Sequence, residues 1–299
     1  MSRLDRIGVI AALLSFLFWG FFPIYWKYLS HLQAVEVLLH RVIWSFVFYA
    51  LLLKLSSKIR LRVVLQQTRK DWLISFLAAL LLSLNWGLYI YAVNTGRILE
   101  GSLAYFINPL LNVLVGVLFF SEKLPRLLFW SVLIAGCGVF WKVVATPSPP
   151  WIALTLAVTF CAYGVLKKFL KIEPRLSSVM ESLAILAPAV LVAFYVREKS
   201  PVEVLSVADW SLLILSGAVT GIPLYLFSVA VQKVPYSFIG MTQFIAPSLQ
   251  FLVGYFLYNE AVSISSWVSF SLIWAGAGLY LSYQFRQLIK AGKKSKSSL

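Results

Sequence analysis

The stretches FINPLLNVLVGVLFFSE at residues 106–122 and FIAPSLQFLVGYFLYNE at residues 244–260 decide the fold. One offset of 138 positions lays Phe106 on Phe244, Ile107 on Ile245, Pro109 on Pro247, Leu111 on Leu249, Val115 on Val253, Gly116 on Gly254 and Glu122 on Glu260. The same offset carries Leu88, Ala92 and Val93 onto Leu226, Ala230 and Val231. Self-similarity at one fixed spacing marks an internal duplication. Each copy precedes a segment with a small-residue seam, Gly136 and Gly138 in one half and Gly276 and Gly278 in the other.

Both stretches are mostly apolar and uncharged until their closing glutamate, and such runs recur along the chain. Of the 299 residues 61% are hydrophobic and 12% charged, with a mean hydropathy of +0.86. Soluble domains average about 45–50% apolar and about 25% charged, so lipid must solvate most of this surface. Continuous apolar runs of about 20 residues select helices, which satisfy their own backbone, over a barrel with its alternating ten-residue strands. The spans are predicted at 7–27, 34–54, 71–94, 99–121, 126–145, 150–168, 177–196, 209–231, 236–258 and 263–285. The opening MSRLDRIGVIAALLSFLFWGFF resembles a signal peptide, but its apolar run is too long and lacks a cleavage site, so it reads as the first span. The tail from Lys290 is basic and serine-rich, which predicts disorder. Cys137 and Cys161 fall inside spans, in no disulfide or metal spacing.

With the N-terminus placed inside, 20 of the 26 lysines and arginines fall on the cytoplasmic side, Lys167 and Lys168 among them. Lys27, Arg97, Lys142, Arg197 and Lys199 fall outside, and Arg41 sits within a span. That asymmetry predicts a multi-pass inner-membrane protein with both termini cytoplasmic. It also explains the net charge of +15 without nucleic acid. The fold class expected is an all-α membrane protein of ten transmembrane helices in two inverted five-helix repeats, 1–149 and 150–289, with a basic cytoplasmic tail at 290–299. An odd helix count per repeat turns the second half over, an architecture of many secondary transporters.

Polar groups in a bilayer are costly and face the bundle interior. Tyr105, Asn108 and Asn112 share one face of the fourth span beside Pro109, and Gln243 and Gln250 occupy the repeat positions of Tyr105 and Asn112 beside Pro247. They read as walls of a substrate path; the plainer alternative is interhelical hydrogen bonding worth about 0.6 kcal/mol per bond. Asn85, Trp86 and Tyr89 would shape that path. Trp19–Gly20 and Tyr163–Gly164 mark the first helix of each half. His40 and Arg41 stand in an apolar second span, where an arginine costs roughly 2.5–3.5 kcal/mol and must be paired or wet. Glu36 and Glu181 are its candidate partners, and the three residues His40, Arg41 and Glu181 are candidates for charge selectivity or coupling. A snorkelling Arg41 is the structural alternative. Glu122 and Glu260 end their helices, where loop-stabilising contacts are expected.

No phosphate-binding loop, dinucleotide fingerprint or metal motif occurs, so no cofactor or metal is expected. Taken together, HRVIWS at 40–45, NWGLYIYAVN at 85–94, LEGSLAYFINPL at 99–110, QFIAPS at 243–248 and Glu260 resemble the RarD branch of the EamA family, in the drug/metabolite transporter superfamily. That resemblance covers about residues 5–285. It implies ten helices, two EamA repeats and export or exchange of small metabolites. The expected function is therefore secondary transport of small metabolites, amino-acid-like solutes or drugs by alternating access, and not enzymatic. A proton or an exchanged solute would be the coupling partner, in a monomer or homodimer in contact with membrane lipid. A passive channel and a membrane enzyme on a lipid-linked substrate are the other classes.

Overall fold

The computed structural model describes residues 5–55, 61–95, 97–145, 151–199, 205–259 and 262–296. The described residues form helices and turns, with no strand. In the first half these are α1 (Arg6–Gly20), α2 (Phe22–Lys27), α3 (Ala34–Leu55), α4 (Leu61–Leu65), α5 (Arg69–Asn94), α6 (Ile98–Leu118) and α7 (Arg126–Val144). The second half holds α8 (Trp151–Phe169), α9 (Pro174–Lys199), α10 (Val207–Lys233), α11 (Tyr236–Gln243), α12 (Ile245–Leu257) and α13 (Ile264–Lys296). Eight of the described helical segments are long and apolar enough to cross a membrane, and Leu103–Leu118 is a shorter apolar helix.

Three expectations about the elements change. The predicted span 236–258 is two helices that meet at Phe244, because Pro247 has no N–H to offer the Gln243 carbonyl and its ring crowds that turn. The first span breaks in the same way at Phe21, two residues before Pro23. The tail expected to be disordered continues α13 as far as Lys296. An existing helix extends without paying nucleation again, and Gln, Leu, Ile, Lys and Ala are helix formers or tolerate it. Residues 297–299 lie outside the described residues.

The packing follows the duplication. Exchange α1 with α8, α3 with α9, α5 with α10, α6 with α11–α12, and α7 with α13. The pairs α7–α13, α6–α11 and α3–α9 then map onto themselves. The pair α1–α10 maps onto α8–α5, α3–α10 onto α9–α5, and α6–α8 onto α12–α1. The halves are therefore interleaved. Among the described residues, two other than glycine have left-handed backbone, Ser121 (φ 50°) and Asn259 (φ 52°), again 138 apart, so the turn that ends α6 recurs at the end of α12. The main core joins the first helix of each half through aromatics. Trp19 lies 5.8 Å from Phe160 and 5.8 Å from Phe227, and Tyr163 stacks on Phe227 at 6.0 Å.

Only one glycine of each seam sits at the α7–α13 contact. A Cβ on Gly138 would strike the Ser269 carbonyl, and one on Gly276 the Ser131 carbonyl, whereas Gly278 faces open space. Ser269 Oγ donates to the Gly138 carbonyl at 2.8 Å across the same contact. Gly276→Ala should destabilise the detergent-solubilised protein by about 1–3 kcal/mol through overpacking, while Gly278→Ala leaves its thermal midpoint unchanged.

Candidate functional site

The site begins with the close approach of α3 and α10. A Cβ on Gly217 would overlap the Trp44 carbonyl, so only glycine lets the two backbones meet there. Tyr49 OH donates to the Gly221 carbonyl at 2.9 Å and holds the contact. Thr220, one turn from Gly217, is thereby set beside Arg41, whose Nε donates to Thr220 Oγ1 at 3.1 Å. The guanidinium also lies over two indoles, 4.6 Å from the ring centroid of Trp26 and 4.9 Å from that of Trp86. The phenols of Tyr105, Tyr89 and Tyr25 lie within electrostatic reach. Five segments, α2, α3, α5, α6 and α10, thus converge on one arginine.

Among the described residues no carboxylate, Glu36 and Glu181 included, stands within ion-pair distance of Arg41. Its one hydrogen bond to the described residues uses Nε and leaves the Nη edge for another partner. Tyr25 OH is committed to the Leu212 carbonyl. Tyr89 and Tyr105 pack edge-on at 6.4 Å and are 36% and 39% exposed, so the cage is open on their side. Aromatic faces offset part of the cost of a desolvated guanidinium, by about 0.5–2 kcal/mol each.

His40 does not join this cage. Consecutive helix residues project about 100° apart; His40 Nδ1 accepts from the Trp44 indole N–H at 3.3 Å, and its ring meets Trp210 edge-on at 5.4 Å. Glu181 is not the partner of Arg41, as the sequence suggested. It pairs with Lys167, which is completely buried rather than a cytoplasmic loop charge. The reason is reach: Lys167 lies in the last turn of α8, and its long side chain extends to the carboxylate on α9. Lys167 Nζ and Ser177 Oγ both donate to Glu181 Oε1, the latter at 2.7 Å, and Tyr163 OH donates to Oε2 at 3.2 Å.

The amides divide differently from the expected path. Asn108 and Asn112 on α6 and Gln243 on α11 are buried and bonded to one another. Asn112 Nδ2 donates to Gln243 Oε1 at 2.7 Å and to Asn108 Oδ1 at 3.1 Å, and Asn108 Nδ2 to the Ala157 carbonyl at 2.6 Å. Asn85 Nδ2 donates to the Leu156 carbonyl at 2.8 Å and to Thr159 Oγ1 at 2.9 Å, which ties α5 to α8. Gln250 Nε2 donates at 3.0 Å to the Trp19 carbonyl, the acceptor that Pro23 cannot serve. In this arrangement the interhelical alternative describes these five amides, while Tyr105, Trp86 and Tyr89 gather at Arg41. Glu122 accepts from the backbone N–H groups of Tyr236 and Ser237, capping α11 across the halves. The side chain of Glu100, a further carboxylate that the sequence sets at the start of the predicted span 99–121, and Glu260 lie outside what is described.

The sequence pattern of the EamA-like transporter family matches residues 6–144 and again 149–282. The chain belongs to this family. Within it the RarD branch is shown by relatives such as Protein RarD of Salmonella typhimurium, 37% identical with 94% of this chain and 96% of that protein covered. The uncharacterized transporter YojE of Bacillus subtilis is 40% identical, with 97% of each chain covered. A chain of known crystal structure superposes with a TM-score of 0.72 at 19% identity, covering 91% of this chain and 96% of that one, a likeness of fold alone. The protein is thus a multi-pass membrane transporter of the drug/metabolite superfamily.

Sequence reasoning passed over Trp26, Thr220 and Lys167 in this EamA-like transporter. Trp26 carried no assignment, and Lys167 was counted only among the cytoplasmic-side charges. The G-A-V-T-G run at 217–221 was the available signal for Thr220, because small residues around one hydroxyl mark a close helix crossing. Alanine replacements at Asn112 and Gln243 should couple in a double-mutant cycle of thermal stability by about 0.6 kcal/mol, and by no more than about 1.7.

Proposed function

We propose that this transporter moves small carboxylate-bearing solutes, amino-acid-like ones included, across the inner membrane by alternating access, with Arg41 as the group that recognises the carboxylate. The supporting observation is the guanidinium of Arg41, held by Thr220, Trp26 and Trp86 with its Nη edge lacking a counter-charge among the described residues. Intramembrane arginines are ordinarily paired, and a planar carboxylate fits the open edge of the fork with two parallel hydrogen bonds. Tyr89 and Tyr105 flank the opening and would contact the rest of the solute. Trp86 shapes the site, and Asn85, Asn108, Asn112, Gln243 and Gln250 hold the helices that form it. The charge asymmetry of the segments supports placing both termini in the cytoplasm. Two interleaved halves of equal architecture support rocking between mirror-related states.

Counterflow in proteoliposomes against a panel of labelled amino acids, organic acids, phosphate esters and neutral analogues tests the reading. Carboxylates should exchange with saturation, and their neutral amides should not. Arg41→Ala should weaken carboxylate exchange by about 2–5 kcal/mol, at least tenfold, in protein that purifies and melts as the wild type does. Arg41→Lys should restore little of it, since an ammonium lacks the planar fork. Equal exchange of acids and amides, or unsaturable flux without counterflow, would leave a passive facilitator.

A further inference from the structure

We propose that the buried Lys167–Glu181 pair is a proton site, and that the protein carries its anionic solute together with a proton. The inference rests on the transport reading above and adds the coupling ion. Lys167 is 0% exposed and Glu181 7% exposed, on helices whose principal packing partners are others: α8 on α5, α6 and α10, and α9 on α3, α5 and α10. As a mere joint between them an ion pair is a poor choice, because well-packed apolar side chains are commonly as stable or more so.

Glu181 borders a cavity. Glu181, Ser178, Ser182, Tyr49 and Tyr163 line a space of about 30 Å³ together with Trp86 and aliphatic side chains, room for about two waters. Trp86 is the connecting element: one indole walls the Glu181 cavity and also lies over the Arg41 guanidinium. The groups that face Glu181 are few. α8 presents Lys167 and Tyr163, α3 presents Tyr49, and α9 adds the hydroxyl of Ser177. α5 and α10 contribute Ala79, Leu82, Trp86 and Leu224 to the cavity, and α4 sets Val64 against α9. Among the described residues a single carboxylate therefore answers a single ammonium.

With Glu181 ionised, Lys167 is neutralised and Arg41 is the uncompensated cation. When water in the cavity delivers a proton to a Glu181 oxygen, an O–H bond forms and the ion pair is lost. Two cations, Lys167 and Arg41, then stand in a low-dielectric bundle, a state that an anionic solute at Arg41 relieves. Solute and proton each favour the binding of the other, by the same factor in both directions. On the far side Glu181 returns its proton to water, the pair reforms, and the solute leaves.

Infrared spectroscopy of the protein in lipid nanodiscs, taken from alkaline to mildly acidic buffer, reads the site without any solute. The wild type should develop a protonated-carboxyl C=O band that Glu181→Gln lacks; identical spectra for the two proteins overturn the proposal. In proteoliposomes loaded with the carboxylate that shows counterflow, an acidic exterior should drive accumulation by the wild type. Glu181→Gln should lose that drive, and so should the double variant Lys167→Met/Glu181→Gln, which buries no unpaired ion and so guards against simple misfolding. Wild-type accumulation that ignores the pH gradient, or a double variant that still responds to it, also overturns the proposal. Failure of wild-type counterflow would instead strike the transport reading, and the infrared result stands apart from it.

Discussion

Hydrocarbon offers no hydrogen bond to an unpaired backbone group, and each such group costs several kcal/mol. The helix breaks of this protein obey that constraint by borrowing across the duplication. Pro23 leaves the Trp19 carbonyl without its donor, and Gln250 of the second half supplies one. The start of α11 leaves amide N–H groups open, and Glu122 of the first half accepts from two of them. Each half completes the irregular backbone of the other, so the interleaving is a condition for the breaks rather than a consequence of them.

The same constraint applies to charge. Lys167 and Glu181 satisfy each other with Ser177 and Tyr163 in attendance. Arg41 is treated differently: it receives a hydroxyl and two aromatic faces, which ease desolvation without neutralising the charge. In the function proposed above, a cation stabilised in this partial way suits a solute that comes and goes, since a permanent carboxylate would compete with it. Trp86 lies over the Arg41 guanidinium and also lines the cavity that Glu181 borders, which gives the two sites a shared wall.

The buried amide chain Asn108–Asn112–Gln243 joins α6 to α11, the two helices that carry the repeated proline motif. Asn112 Oδ1 is left without a hydrogen-bond partner in this arrangement. Bonds of this kind are individually weak in membranes, so the joint registers the two halves without locking them.

Much was legible in the sequence alone. Apolar runs, the 138-residue offset and the proline positions determined a duplicated, all-helical membrane protein, because those properties depend only on composition and local backbone chemistry. The cost of an arginine among apolar neighbours singled out Arg41 for the same reason. Which residues answer that arginine was decided by tertiary structure. Trp26, Trp86 and Thr220 lie 15, 45 and 179 positions away from it, and only the crossing of α3 and α10 at Gly217, with α2 and α5 folded against them, brings them within contact. The pairing of Glu181 with Lys167 likewise depended on the reach of a side chain from a neighbouring helix. Sequence spacing states which residues share a helix face; it does not state which faces of different helices meet.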